Sequence, residues 1–282
     1  FKTQKNTKME KQLNEKVNDA IELLRKGEAL AIKMQPNFGY FLAFSGGKDS
    51  QVLLDIVKRA GVKYKAFYSV TGNDAPENVY FIRKEYPEVE FIHPKEKYIK
   101  IIEKSGMPTI LRRKCCDRLK ERIGKGCVVL TGVRAEESRK RAKYEEIMIS
   151  SRRKEHKGKS ASRGEEWLKE VVHDCIKGQD RVLIHPLLSF TSDNIWGYIN
   201  KNKIPHNPLY KKCGRVGCMY CPFASKEQLD YYEKTYPKFK ESIIKALNKN
   251  LKERKESVFK TGNELYEWWK SKESVEKYMN NK

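Results

Sequence analysis

No apolar run in the 282 residues approaches the length of a membrane span, and nothing after Phe1 has the charged, apolar and small-residue succession of a signal peptide. A soluble, cytoplasmic protein without a membrane partner is therefore expected. Acidic residues are also in deficit. Only 37 Asp and Glu oppose 59 Lys and Arg, which leaves a formal net charge of +22 and a pI near 9.6. A field of that sign favours polyanions. Lysine is spread through the whole chain, so composition alone leaves two readings open: a DNA or RNA partner, or a lysine-rich surface that attracts anionic nucleotides. The chain also lacks the even, closely spaced cysteine framework of a small secreted domain. Its seven cysteines are Cys115-Cys116, Cys213, Cys218 and Cys221, with Cys127 and Cys175 apart, a distribution that points to metal or redox chemistry rather than disulfides. No cysteine follows Cys221.

The rest of the chain is organised around GYFLAFSGGKDSQVLLDIV, residues 39–57. The apolar run Tyr40 to Phe44 ends in Ser45-Gly46-Gly47-Lys48-Asp49-Ser50 and passes into the periodic apolar positions Val52, Leu53, Leu54, Ile56 and Val57. The pattern reads as a buried strand, a glycine-rich turn and a helix N-terminus, where free N–H groups and the helix dipole attract phosphate. The spacing excludes a Walker A loop, because two glycines stand directly before Lys48 and Asp49 follows it. SGGKDS resembles instead the PP-loop of ATP pyrophosphatases and sulfonucleotide reductases, enzymes that bind an adenine nucleotide. Gly46 and Gly47 let the backbone approach phosphate, Lys48 neutralises it, and Ser45 and Ser50 donate hydrogen bonds. Asp49 is the candidate Mg²⁺ ligand if the nucleotide is ATP.

The flanking segments alternate between helical and extended patterns. A leading helix is expected over about 8–34, strands at 64–70, 89–93 and 128–130, and helices at about 76–86 and 98–103. Such alternation predicts an α/β fold with a doubly wound, mostly parallel sheet and a helical C-terminal annex. The expected division is an N-terminal helical lead over 1–38, a nucleotide-binding domain over 39–225, and a helical extension over 226–282. Residues 139–163 carry ten Lys or Arg against three acids and read as a mobile basic loop. In a doubly wound sheet ligands sit beyond the carboxyl ends of the strands. The loops 45–50, 71–74 and 131–141 all fall there.

Taken together, SGGKDS, Thr71-Gly72 after the second strand, GVRAEESRKR and HPLLSFTSDNIWGYINKNKIPHNPLY resemble the phosphoadenosine phosphosulfate (PAPS) reductase family, in order, from about Tyr40 to Ala224. The resemblance implies that Ser45, Gly46, Gly47, Lys48 and Ser50 line the phosphate pocket and that the strand end from Ser69 through Thr71 to Gly72 reads the adenine. It places Gly132, Arg134, Glu137, Ser138 and Arg141 over phosphate or sulfate, with Lys48, Asp49, Arg134 and Glu137 as candidate catalytic residues. Thr191-Ser192-Asp193 is expected to cap a helix, and His185 and His206 read as structural histidines.

Cys218-Met219-Tyr220-Cys221 has the spacing that lets two thiolates grip one metal or one cluster from a tight turn. Cys115-Cys116 supplies a second pair. Adjacent side chains diverge, which suits an iron-sulfur cluster better than a single zinc. The pattern is similar to that of the cluster-bearing adenosine phosphosulfate (APS) reductases, and this implies a 4Fe-4S cluster on Cys115, Cys116, Cys218 and Cys221, with Lys120 a nearby charge and Cys213 a possible substitute ligand. Assimilatory reductases of that kind use a C-terminal Glu-Cys-Gly-type motif, which this sequence does not contain; Asp117-Arg118-Leu119-Lys120 resembles relatives outside sulfate assimilation. The expected activity is adenylation of an acceptor by ATP with sulfur-transfer chemistry, as in DNA phosphorothioation relatives, on DNA, RNA or a related substrate with a sulfur donor as partner. The alternatives are an APS or PAPS reductase that uses a thioredoxin-like reductant and releases sulfite, and a nucleotide-binding iron-sulfur regulatory module without turnover. Tail aromatics such as Tyr232, Tyr266, Trp268 and Trp269 are expected mainly to pack, and otherwise to stack on bases.

Overall fold

The computed structural model describes residues 2–120, 123–150, 181–254 and 256–281, with side chains from residue 10 onward. Six strands form one sheet in the order β3-β2-β1-β4-β6-β5, from β1 (Tyr40–Phe44), β2 (Tyr64–Ser69), β3 (Glu90–Ile92), β4 (Val128–Leu130), β5 (Ile147–Ser150) and β6 (Arg181–Ile184). β1 pairs in parallel with β2 and β4, β4 pairs in parallel with β6, and β5 runs antiparallel to β6 at the edge. The α/β class with a mostly parallel sheet is thus present. Four of the five residues of β1 are buried, as expected for a strand covered on both faces.

The residues form two compact units, each assembled from separate stretches: 1–68 with 80–91 and 124–207, and 69–79 with 92–123 and 208–282. In the first, helix Lys2–Met34 carries a buried stripe of Leu13, Val17, Ala20, Leu24, Ala31 and Met34 at helical spacing. Tyr40 at the start of β1 donates its hydroxyl to the Leu24 carbonyl at 2.6 Å, tying that helix to the sheet. On helix Lys48–Ala60, Val52, Leu53, Leu54, Ile56 and Val57 are all at most 1% exposed. Asp55 and Arg59 of the same helix grip the Tyr198 hydroxyl at 2.5 and 2.9 Å, which fixes helix Ser192–Lys201 in place.

The basic segment differs from its sequence expectation. Residues 139–150 hold a short 3-10 turn, Arg141–Lys143, and the strand β5, in which Ile149 is buried. The apolar, β-branched run Ile147-Met148-Ile149 gives that stretch a face to bury, so strand pairing overrides the surrounding charge. The remaining basic residues of that expectation, 151–163, and Cys175 lie outside the described residues.

The second unit is helical. Helix Pro237–Lys252 packs on Tyr98–Ser105 and on Gly262–Ser271 around a core that includes Ile102, Tyr220, Leu247, Tyr266 and Trp269. Tyr232 and Tyr266 are at most 2% exposed and Trp269 donates its indole N–H to the Pro108 carbonyl at 2.6 Å. Tyr232, Tyr266 and Trp269 are thus packing residues.

Replacing Tyr40 by Phe keeps the ring and removes one buried hydrogen bond. Tyr40→Phe is expected to lower unfolding stability by about 1 kcal/mol in urea denaturation.

Candidate active site and cysteine cluster

Site geometry in the sheet unit begins where β1 ends. Gly47 occupies the N-cap of helix Lys48–Ala60 and no side chain caps it, which keeps the anion-attracting character of the helix start. Ser45 and Ser50 close the turn on themselves: Ser45 Oγ lies 3.0 Å from Ser50 Oγ, Ser50 Oγ donates to the Gly47 carbonyl at 2.9 Å, and Gly47 N donates to Ser45 Oγ at 3.3 Å. Gly46, at φ +74°, offers its carbonyl to Asn207 Nδ2 at 3.0 Å.

Charge in this site converges on Asp49. Lys48 Nζ reaches its two oxygens at 2.8 and 3.1 Å, and Arg134 Nε reaches Oδ1 at 2.7 Å. Arg134 is 5% exposed, and its remaining nitrogens donate to Glu136 at 3.1 Å, to Ser192 Oγ at 3.3 Å and to the Phe190 carbonyl at 3.5 Å. Glu137 accepts from Arg134 N at 2.9 Å and pairs with Arg141, while Ser138 Oγ accepts from Arg141 N at 3.2 Å. Glu136 in turn accepts from Ser192 N at 2.7 Å, the first residue of helix Ser192–Lys201. Gly132 allows the close approach of the two loops: a Cβ there would stand 3.1 Å from the Asp49 carbonyl carbon and 3.2 Å from its oxygen.

A second constellation belongs to the helical unit. Thr71 donates through both N and Oγ1 to the Asp74 carboxylate, at 2.6 and 2.8 Å, forming a tight turn with Gly72 at φ +71°. Asn73, 2% exposed, is zipped to the Cys-x-x-Cys loop: its carbonyl accepts from Met219 N at 2.8 Å, its Oδ1 from Tyr220 N at 3.1 Å, and its Nδ2 donates to the Tyr220 carbonyl at 3.2 Å. Tyr98 donates to the same carbonyl at 3.0 Å. Asp74 bridges to Cys218, whose Sγ lies 3.8 Å from Thr71 Oγ1. Ser69, at the end of β2, donates to the Leu119 carbonyl.

Cys115 and Cys116 ride on the short helix Lys114–Leu119, and Lys120 just beyond it donates from Nζ to Cys218 Sγ at 3.2 Å. The four cysteines lie within electrostatic reach of one another. A hydrogen bond to Cys116, burial and the Cys116 and Cys218 charges push the Cys115 thiol far up; burial and the charges of Cys218 and Cys116 also raise Cys221. The buried Tyr98 phenol is raised first by burial and then by all four sulfurs. The Cys218 charge and Asp74 hold the Lys120 ammonium above its ordinary value. Cys213 stands outside this set. Burial raises its thiol, and its neighbours are Tyr232, Glu77 and Lys212. Among the described residues no three His, Cys, Asp or Glu side chains have the spacing to hold a single metal ion.

The model of the phosphoadenosine phosphosulfate reductase domain matches residues 39–224, about two thirds of the sequence. The chain belongs to the PAPS reductase family. Two uncharacterized proteins of Methanocaldococcus jannaschii are 26% identical over 253 residues and 25% identical over 212, covering 83% and 70% of this chain but 55% and 39% of their own lengths. The chain thus spans about half or less of those relatives. An adenosine 5'-phosphosulfate reductase of Halalkalibacterium halodurans is 25% identical over 221 residues, 76% of this chain and 87% of the relative. Among solved structures, the chain is similar to a PAPS reductase of Candida auris in its phosphate complex, with a TM-score of 0.45, 19% identity, and 72% and 89% of the two chains covered. A U34-tRNA thiolase of Methanococcus maripaludis with its 4Fe-4S cluster gives a TM-score of 0.37 and 16% identity over 83% and 81%.

Three residues of this PAPS reductase family member escape a reading of motifs. Asn73 sits inside a Gly-Asn-Asp turn that reads as a generic loop; Asn207 follows His206 as a solitary amide; Glu136 looks like one more charge beside Glu137. Each acts on a backbone group of a distant segment, a relation that sequence spacing does not express. His185, just beyond β6, is buried as well. Its Nδ1 lies 2.6 Å from Thr131 Oγ1, its ring stacks on Tyr144, and Nε2 is buried without a hydrogen-bond partner. Burial, with Arg141 nearby, pushes its pKa down to about 4.

Between pH 6.5 and 4 the unfolded chain binds a proton at His185 that the folded chain refuses, so stability is lost as pH falls through that window. His185→Asn is expected to flatten the pH dependence of the urea midpoint there, removing a slope of up to about 1.4 kcal/mol per pH unit. An unchanged profile would assign the acid sensitivity to other groups.

Proposed function

We propose that this chain binds an adenine nucleotide at Ser45–Ser50 and uses ATP to adenylate an acceptor, releasing pyrophosphate, as one half of a sulfur-transfer reaction. The observation that carries this over sulfonucleotide reduction concerns the cysteines. A thiol that attacks sulfur must be a ready thiolate. Once Cys115, Cys116, Cys218 and Cys221 are assigned to a cluster, the described cysteines left are Cys127, pushed up to about 11 by burial, and Cys213, also raised by burial. Neither is an activated nucleophile.

In this reading Lys48 and the N–H groups of the helix start hold the phosphates, the Gly132 approach and the Arg134 network hold the loops in register, and Arg141 is the accessible guanidinium for the α-phosphate. Asp49 is the proposed Mg²⁺ ligand, with Thr71 and Gly72 beside the adenine. Cys115, Cys116, Cys218 and Cys221 are the proposed holders of a 4Fe-4S cluster. Their donor set fits the group in kind: four soft sulfurs within electrostatic reach of Tyr98, accompanied by the Lys120 cation. When bound, such a cluster supplies redox-active iron. The acceptor proposed is a nucleic acid, on the strength of the +22 charge.

The second reading is reduction of APS or PAPS by a thioredoxin-like reductant. It draws on the likeness to the Halalkalibacterium halodurans APS reductase over 87% of that relative's length.

Anaerobic incubation of iron-loaded protein with ATP and Mg²⁺, and separately with APS or PAPS plus thioredoxin, distinguishes the two. Pyrophosphate without sulfite is the expected result; sulfite would establish the reductase instead. Lys48→Ala is expected to abolish nucleotide binding with iron content intact, and loss of iron in that variant would make the loop a purely structural turn. Cys218→Ser is expected to bleach the broad absorption at about 400 nm of such a cluster; unchanged colour would remove Cys218 from the ligand set.

A further inference from the structure

The helical unit contains a cavity of about 340 Å³ that none of the phosphate-loop residues line. Pockets for small organic ligands run from roughly 300 to 1,000 Å³, so this one suits a compact ligand. Its lining is mixed, with an apolar and partly aromatic portion formed by Ile102, Phe259, Leu265 and Trp268. Trp268 donates its indole N–H to the Glu273 carbonyl at 3.1 Å and lies 5.2 Å from the Phe259 ring. Its polar edge is thus already satisfied, which leaves ring surface for a ligand.

The charged part of the wall has one sign. Arg112, Lys114 and Arg254 line the cavity, and no Asp or Glu does so among the described residues. Lys114 Nζ has only the Ser105 hydroxyl, at 3.3 Å. The Arg112 and Arg254 guanidinium groups have neither an ion-pair nor a hydrogen-bond partner among the described residues. Both arginines are exposed to solvent, whereas the less exposed Lys270 is matched by Asp230 and Glu233 and Arg118 by Glu96. Gly106, at φ +72°, keeps the Arg254 side of the wall open: a Cβ there would stand 2.9 Å from Arg254 Nη2.

We propose that this cavity is a second ligand site, for a compact organic anion with a flat ring. The ring packs against Trp268 and Phe259, and a phosphate or carboxylate meets Arg112 and Arg254. Two unpaired guanidinium forks beside an aromatic wall select a ligand of that composition. A bare inorganic anion leaves the apolar surface wet, and an uncharged ring leaves the cations unmatched. Cys115 is part of the same wall, so a bound ligand lies against the cysteine set. Free mononucleotides and the exposed end of a single-stranded nucleic acid carry the same ring-plus-phosphate chemistry. The inference goes beyond the proposed activity and does not depend on it.

The test uses the full chain carrying Lys48→Ala, so that the phosphate loop does not contribute. The aromatic sulfonate 8-anilinonaphthalene-1-sulfonate is titrated by fluorescence and then competed with AMP, with a short single-stranded oligonucleotide and with inorganic phosphate. Saturable binding, displaced by AMP or the oligonucleotide at concentrations where phosphate has no effect, is the expected result; the better competitor identifies the source. Arg112→Glu with Arg254→Glu is expected to weaken binding at least about 10-fold while thermal unfolding stays close to that of the parent, since neither arginine has a partner to lose. Val258→Trp, which fills the mouth of the cavity, is expected to give the same loss without any change of charge. Absence of saturable binding, equal binding by both variants, or displacement by phosphate as effective as by AMP would overturn the site.

Discussion

The parting of strands at β1 and β4 governs the chemistry of the sheet unit. From β1 the order runs outward through β2 to β3 in one direction and through β4 to β6 in the other, so the loops that follow β1 and β4 leave the sheet in opposite senses and open a crevice between them. A crevice of bare loops would be soft. Here the Asp49–Arg134 pair spans it, and Arg134 also gathers Glu136, Ser192 and the Phe190 carbonyl. A guanidinium this buried is tolerated only with its donors matched, and once matched it ties the Asp49 helix start and the segment 190–192 to its own loop. The same argument explains Gly132: the loops are held so close that a methyl group would press on the Asp49 backbone.

The helical unit meets a comparable demand with a neutral group. Asn73 presents an acceptor, a donor and its own carbonyl to Met219 and Tyr220, and so reproduces a stretch of β-pairing within a turn. A buried amide bonded through both its oxygen and its nitrogen orients the loop it meets much as a strand would. The consequence is that Cys218 and Cys221 are carried on a loop whose backbone is pinned at its centre, while Cys115 and Cys116 come from a helix held by Arg118–Glu96 and by Ser69 at the Leu119 carbonyl. Cysteines supported in this manner keep their relative positions without a disulfide.

Much of this was legible in the sequence because it is written in local period and spacing. The run Tyr40 to Phe44 followed by SGGKDS could only be a strand, a turn and a helix start, and Thr191 does cap its helix, accepting from Asn194 N at 3.2 Å. The family assignment likewise rests on short motifs in order. What escaped is long-range. β5 hides inside a basic stretch because three apolar residues are too short a signal against ten cations, and its antiparallel pairing with β6 depends on a partner more than thirty residues away. The role of Arg134 is the sharper case: the motif GVRAEESRKR presents four basic side chains as equivalents, and only the structure separates the one buried in a network from the more exposed three.

That separation bears on how the +22 charge is to be read. Counter-ion release, and hence affinity for a polyanion, scales with the cations that can reach phosphate rather than with the number in the sequence. Arg134 is buried in its own network, Lys48 is paired with Asp49, and Lys270 and Lys240 are held by carboxylates of the helical unit. They contribute to the formal sum and little to the outward field. Arg139, Lys140 and Lys143 are exposed on the loop that carries Arg141, and Arg112 and Arg254 face a cavity unmatched. Part of a basic composition is therefore consumed as internal structure, and the outward field is set by the cations that remain exposed. Recognition of an anionic partner by this chain is therefore argued from exposed, unmatched cations and not from the formal sum.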